Sequence, residues 1–195
     1  MSWPVTVELG RGLDGAITNE TTVGHVSGKD AGLIKAKKKV LKKSSESGID
    51  EIIDIGLVGE VTHVDPHIIS CLEKDGFIPV ISPVGVGPKG ETLNINADYI
   101  AASVAAALKA EKLILLTDVP GLMDRKGRII SAVTKRQTKK LFDDGTISGG
   151  MMPKVQACLN FIEKGGKLSV ITEAFKLADM SYGSKITMDY EDDRR

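Results

Sequence analysis

Residues 93–121, LNINADYIAASVAAALKAEKLILLTDVPG, decide how the chain folds. Leu93 to Asn96 reads as a short extended segment. Asp98 then opens an alanine-rich helix that reaches to about Ala110. Lys112 to Thr117 (KLILLT) is a continuous apolar run, the mark of a strand buried on both faces. Asp118 to Gly121 turns the chain, with Pro120-Gly121 as the punctuation. Strands that alternate with helices of this length imply a mainly parallel sheet.

The same alternation extends in both directions. Upstream, Ile53 to Val64 (IDIGLVGEVTHV) reads as a strand. Asp65-Pro66 starts a helix, with Asp65 as N-cap and Pro66 in the first helical position, and that helix runs to about Lys74 and ends at Gly76. Phe77 to Ile81 is a short apolar strand. Downstream, Thr134 and Gln137 form a capping box for a helix through about Phe142, and Asp144-Gly145 stops it. Ser148 to Lys154 begins the next helix, which ends at Gly165-Gly166. Leu168 to Thr172 is a strand, a helix is expected from about Glu173, and a last strand lies near Ile186. At the N-terminus Val5, Val7 and Leu9 alternate and admit a short strand. Residues 44–50 read as a polar loop and residues 189–195 as a frayed tail. The predicted class is α/β, with a mainly parallel sheet covered by helices on both faces and ligands at the carboxyl ends of its strands. No internal repeat and no second-domain linker is visible.

Bulk properties exclude several function classes. The 26 basic and 26 acidic residues cancel, so nothing draws the whole chain to nucleic acid or an anionic membrane. Aromatics make up 4% of residues, too few for a base-stacking surface. The basic run Lys35, Lys37, Lys38, Lys39, Lys42, Lys43 has acidic residues nearby and reads as a solvated face. No apolar run reaches the roughly 18–20 residues of a membrane span. The opening MSWPVTVELG lacks a basic-then-apolar signal pattern. Cys71 and Cys158 sit in apolar helical patterns and are expected as free, buried thiols. These features imply a cytoplasmic protein. His25, His63 and His67 show no metal-ligand pattern.

Three motifs can carry chemistry. In Ser148-Gly149-Gly150-Met151-Met152-Pro153-Lys154, two glycines let the backbone approach a ligand, and the free N–H groups of a helix start attract anions. A lysine in the first turn opposes the helix dipole unless an anion lies between them; a plain glycine turn with Lys154 in water remains the alternative. In Asn94-Ile95-Asn96-Ala97-Asp98, the two asparagines point to one side of an extended segment and offer amide donors and acceptors. Asp98 serves there as a ligand-site carboxylate or as a simple N-cap, and the asparagines as ligands or turn formers. Thr117-Asp118-Val119-Pro120-Gly121 is a polar turn at the end of a buried strand, where a nucleotide would lie, or an ordinary loop. The loop Pro83 to Gly90 has phosphate-loop-like glycines but opens no helix, and reads as a hairpin loop.

Taken together in this order, GLVGEVTHVDPHII (56–69), FIPVISPVGVGPKGETLNINAD (77–98), AEKLILLTDVPGLMD (110–124) and DDGTISGGMMPKVQACL (143–159) resemble the N-acetylglutamate kinases of the amino acid kinase family. Ser27 to Ile34 (SGKDAGLI) is similar to the segment that precedes them. The likeness spans about residues 23–172, and an amino acid kinase-like domain is assigned to 23–188. The resemblance implies a three-layer αβα fold and transfer of the γ-phosphoryl of ATP to the side-chain carboxylate of N-acetyl-L-glutamate, in arginine biosynthesis. It implies Mg2+ bridging the phosphates, a small-molecule substrate, no nucleic-acid or membrane partner, and a homo-oligomer. Lys154 corresponds to a lysine that stabilises the transition state, and Asp98 to the aspartate that orders the catalytic lysines. Asn94 corresponds to an acetylglutamate ligand, with Asn96 beside it. Thr117, Asp118, Val119, Pro120, Gly121, Leu122 and Met123, with Thr146, Ile147, Ser148, Gly149 and Gly150, correspond to the nucleotide pocket. On this reading Lys154 and Asp98 converge on one polyphosphate cleft.

The chain also departs from the family pattern. The opening strand with its lysine and glycine pair, and the second glycine pair with an arginine that grips acetylglutamate, are not found, and residues 1–22 match nothing in it. The expectation is a chain incomplete at its N-terminus, active in transfer only when those elements are supplied, or else a nucleotide-binding subunit without transfer. A related amino acid kinase with another acceptor is the alternative within the enzyme class. Ile171-Thr172-Glu173 and Gly183-Ser184-Lys185 stand where arginine-inhibited members carry Asp-Gly-Arg-like and Gly-Thr segments, so the resemblance leaves arginine feedback open.

Overall fold

The computed structural model describes residues 22–44, 50–177, 179 and 182–188. The Val5, Val7 and Leu9 pattern, residues 45–49 of the polar loop and the tail at 189–195 lie outside them. The chain forms two compact units, one reaching to Ile100 and the other starting at Ala101. The boundary falls inside a helix, which is why no linker composition marks it.

The first unit contains β1 (Thr22–Ser27), β2 (Ile34–Ser44), β3 (Asp50–Val64), helix α1 (His67–Lys74), β4 (Phe77–Ser82), β5 (Val84–Val86) and β6 (Thr92–Asn94). β1 and β4 pair in parallel. The other four strands close into a ring in the order β2-β3-β6-β5. Its interior is packed by Leu33, Ile34 and Leu93, all fully buried, and by Ala36 and Ile95. The ring is so narrow that a Cβ on Gly85 would lie 2.9 Å from Ile95 Cδ1 and 3.1 Å from Ala36 Cβ, so no larger residue fits without displacing that core. β5 and β6 form the expected hairpin around residues 87–91.

The lysine run builds β2, a strand its composition does not announce. It is held by pairing with β3, where cross-strand charges complement each other. Lys38 Nζ meets Asp54 Oδ2 at 2.8 Å, and Lys37 and Lys39 flank Glu60 at 3.7 and 3.8 Å. Lys35, Lys37, Lys38 and Lys39 thus form a solvated face, as expected. α1 begins one residue later than expected. Pro66 takes the cap position, and the Asp65 carboxylate reaches past it to accept the His67 N–H at 3.1 Å. Ile69 is the buried residue of α1, and Cys71, about 200° further round the helix, is exposed; the expectation of a buried thiol there is corrected.

Helix α2 (Ala97–Ala107) crosses the boundary. The second unit continues with β7 (Lys112–Thr117), β8 (Ala132–Thr134), α3 (Lys135–Asp143), α4 (Met151–Glu163), β9 (Leu168–Glu173) and β10 (Ser184–Thr187). The sheet order is β7-β9-β10-β8, with β7 parallel to β9, β9 antiparallel to β10, and β10 parallel to β8. The α/β class read from the alternating pattern holds. α3 carries the expected capping box: Thr134 Oγ1 accepts from the Gln137 N–H, and Gln137 Oε1 accepts from the Thr134 N–H at 2.8 Å. α4 buries Val155, Ala157, Cys158, Leu159, Phe161 and Ile162, the face that holds it in its unit. The helix expected from Glu173 is a single 3-10 turn, Ala174–Lys176, because β9 runs through Glu173 in register with Thr117. Among the described residues no helix is long and apolar enough to cross a membrane.

Candidate functional site

In the second unit, the polar turn leaves the carboxyl end of β7 as expected. The Thr117 hydroxyl donates to Asp118 Oδ1 at 3.1 Å, and Thr117 is paired with Glu173 at the end of parallel β9. Beyond it the chain passes so close to β10 that a Cβ on Gly121, already at φ 149°, would stand 2.6 Å from Ser184 Oγ. That hydroxyl accepts the Leu122 N–H at 2.8 Å, and both residues are buried. Ser184 is therefore the post on which the turn hangs. Ser184→Ala leaves the Leu122 N–H unpaired, and a loss of about 1–3 kcal/mol of stability is expected in urea titration.

From Leu122 the chain folds into a small hairpin. Ile130 N–H bonds the Leu122 carbonyl at 2.8 Å, and Met123 bridges to Ile129. Asp124 organises its tip. Its carboxylate accepts the backbone N–H groups of Lys126 and Arg128, at 2.8 and 2.9 Å, and the Arg128 Nε at 2.8 Å. The Arg128 backbone N–H, then its guanidinium and the Lys126 N–H, hold this carboxyl below the ordinary carboxylate range against a smaller opposing effect of burial. A carboxylate with a lowered folded pKa stabilises its surroundings above its unfolded pKa and loses that contribution as pH falls through the folded value. Amide protection factors across residues 122–130 are therefore expected to fall below about pH 4, and Asp124→Asn to show that lower protection already at neutral pH.

The loop after α3 faces the hairpin. Asp144 Oδ1 accepts the Thr146 N–H at 2.9 Å, and the Thr146 hydroxyl and N–H lower the Asp144 pKa. The Arg125 guanidinium donates to the Asp144 carbonyl oxygen and lies 3.9 Å from its carboxylate, joining hairpin to loop. Between them is an open cavity of about 390 Å3. Ile130 and Leu141 give it an apolar floor; Arg125, Lys126 and Arg128 put cations on its wall beside Asp124, Asp144 and Thr146. An apolar floor with a cationic rim suits a flat, partly apolar anion. Next, Ile147 is buried, its N–H bonded to the Leu141 carbonyl, and Gly149 takes φ 53°. The Ser148 and Gly149 carbonyls accept from Met151 and Met152, so α4 starts from the glycine pair, and Lys154, half-buried, lies in its first turn.

Of the residues predicted here, Thr146 lines the cavity, and Thr117 to Met123 lead into the hairpin that forms its wall. The sequence reading missed Arg125, Lys126, Arg128 and Asp144. The turn at Lys126-Gly127 was visible, but a basic residue in a turn carries no signal of its own until Asp124 and Asp144 orient it.

In the first unit, Asn94 pairs with Val84 and Val58, and Asn94 and Asn96 are exposed on either side of buried Ile95. They share one side of the segment, as expected. Asn96 Oδ1 accepts the N–H groups of Asp98 and Tyr99, at 3.0 and 3.4 Å. Asn96, not Asp98, is thus the N-cap of α2, and Asp98 sits half-buried in its first turn. Burial first, then the carboxylates of Asp98 and Glu60, raise the Tyr99 pKa.

Comparison with known proteins adds the following. The profile of the amino acid kinase family matches residues 21–173. The chain is 51% identical over 148 residues to the acetylglutamate kinase of Oleidesulfovibrio alaskensis, covering 76% of this chain and 50% of that one. It is 46% identical over 172 residues to the acetylglutamate kinase of Nitratidesulfovibrio vulgaris, covering 84% and 56%. The chain thus spans about half the length of the curated relatives it matches. The N-acetylglutamate synthase of Neisseria gonorrhoeae, solved with coenzyme A and L-arginine, shares the fold with a TM-score of 0.70 at 21% identity, over 92% of this chain and 41% of that one.

Proposed function

Because the chain belongs to the amino acid kinase family, we propose that it serves ATP-dependent phosphorylation of the side-chain carboxylate of N-acetyl-L-glutamate, a step of arginine biosynthesis. The observation that carries this reading is the 51% identity to an acetylglutamate kinase over 148 residues, in a chain whose match to the family, residues 21–173, includes the asparagine pair, the polar turn and the glycine-started helix.

The chemistry suits these residues. A glutamate side-chain carboxylate has a pKa near 4.3, so at neutral pH it is already the nucleophile and needs no general base. What the protein must supply is alignment and compensation of charge on the moving phosphoryl group. On this reading the nucleotide occupies the cavity of the second unit, its base and ribose against Ile130, Leu141 and Thr146, with Arg125, Lys126 and Arg128 attracting the anion. Asp118 to Met123 and Thr146 to Gly150 follow its outline. Lys154, at the start of α4, meets the transferring phosphoryl group. Asn94 and Asn96 hold the acceptor, and Asp98 orders the lysines around it. Among the described residues no cluster of three or more His, Cys, Asp or Glu forms. A Mg2+ ion entering with ATP would neutralise part of the polyphosphate charge.

The test is a coupled assay of ATP consumption with N-acetylglutamate, glutamate and aspartate as acceptors, beside direct titration with ATP. ATP binding and a preference for the acetylated acceptor are expected. A preference for glutamate or aspartate overturns the acceptor; binding without transfer favours a nucleotide-binding subunit; absence of ATP binding overturns the reading altogether.

A further inference from the structure

Away from the segments assigned above, α1 carries two metal-ligating side chains side by side. His67 and Cys71 stand at i and i+4, which places them on one helix face. Both are exposed, and Cys71 Sγ lies 3.7 Å from His67 Nε2. A tetrahedral ion bound to a thiolate at about 2.3 Å and to an imidazole nitrogen at about 2.0–2.1 Å sets sulfur and nitrogen about 3.6 Å apart. The pair already stands at that separation. Two features fix it there: the Asp65 carboxylate holds the His67 N–H at the base of the helix, and fully buried Ile69, between the two, anchors the opposite face.

We propose that His67 and Cys71 form a preset two-point chelate for a thiophilic divalent cation of the Zn2+ and Cd2+ type. On binding, the Cys71 S–H proton passes to solvent, and the metal exchanges two of its waters for the thiolate and for Nε2 of a ring protonated on Nδ1. Two coordination positions stay with water, since among the described residues no third His, Cys, Asp or Glu joins the pair. Such a site is open and reversible, weaker than a closed four-ligand centre. Thiolate softness selects against Mg2+, so it does not compete for the ion that accompanies ATP. Its consequence is a metal-masked thiol: Cys71 is open to alkylating agents when the cation is absent and shielded when it is bound.

The experiment is titration of the full chain with Cd2+ alone, in a non-coordinating buffer, following thiolate-to-metal charge-transfer absorption. One equivalent is expected to bind. Cys71→Ser should abolish the signal, His67→Ala should weaken binding at least about tenfold, and Cys158→Ser, which alters a buried thiol, should change nothing. In parallel, Zn2+ should slow iodoacetamide labelling of Cys71 in the wild type but not in His67→Ala. A titration unchanged by His67→Ala means a sulfur acting by itself, and a signal that survives Cys71→Ser means a site elsewhere; either overturns the chelate, as does the absence of any signal.

Discussion

On the proposed function, replacing Lys154 with alanine is expected to slow phosphoryl transfer to N-acetylglutamate by about 10²- to 10³-fold while ATP binds within about threefold of the wild-type affinity. The reason is positional. α4 starts from the Ser148-Gly149-Gly150 turn, and its first N–H groups already present partial positive charge. A lysine in that turn adds a full positive charge at the same end, so helix start and ammonium together favour an anion there. Charge on the transferring phosphoryl group is rearranged as its bonds loosen, whereas the base and ribose sit still. An interaction made to the moving group is therefore felt in kcat more than in binding. Parallel ATP titrations and single-turnover rates separate the two. If binding falls as far as turnover does, Lys154 is a ground-state phosphate contact and its assigned role is wrong.

The largest structural effect is expected at Gly183. Its φ is +88°, and an added Cβ would stand 2.5 Å from the Ile171 carbonyl oxygen and 2.8 Å from Thr172 Cβ. Neither neighbour can yield easily: Ile171 pairs with Ser184 in the sheet, and Thr172 is buried. Gly183→Ala combines left-handed strain with a backbone clash, and a loss of about 3 kcal/mol or more is expected. Because Ser184 is the next residue and holds the Leu122 N–H, the damage should reach the polar turn proposed to bind nucleotide as well. Urea denaturation measures the first effect and ATP titration the second. A variant as stable as the wild type would show that β9 and β10 can separate at low cost.

Much of this was legible from residue order because the informative signals are local. The apolar run at Lys112–Thr117, the capping box at Thr134 and Gln137, and the glycine-started helix at Met151 each depend on neighbours within four residues. What escaped depends on partners far away. β2 is a strand because β3 brings acids opposite its lysines, which the lysines themselves do not reveal. Asn96 rather than Asp98 caps α2, since both residue types cap well and only the backbone path decides which carbonyl faces the free N–H groups. The exposure of Cys71 followed from which face α1 buries, and an apolar pattern over eight residues leaves that rotation loosely set. The cationic cavity wall stayed hidden because Arg125, Lys126 and Arg128 acquire direction only through Asp124 and Asp144.

The closed ring of the first unit bears on how that unit comes apart. β2 and β3 share a long antiparallel register, whereas the ring is sealed by single aligned pairs, Lys35 with Val86 and Val58 with Asn94. Those seals join segments distant in the chain, so they form after the long hairpin and are the first to breathe. The seam at β5 and β6 thus acts as a clasp on a barrel whose staves are otherwise firm. Asn94, proposed to hold the acceptor, sits on the clasp, where the ring has the fewest aligned pairs.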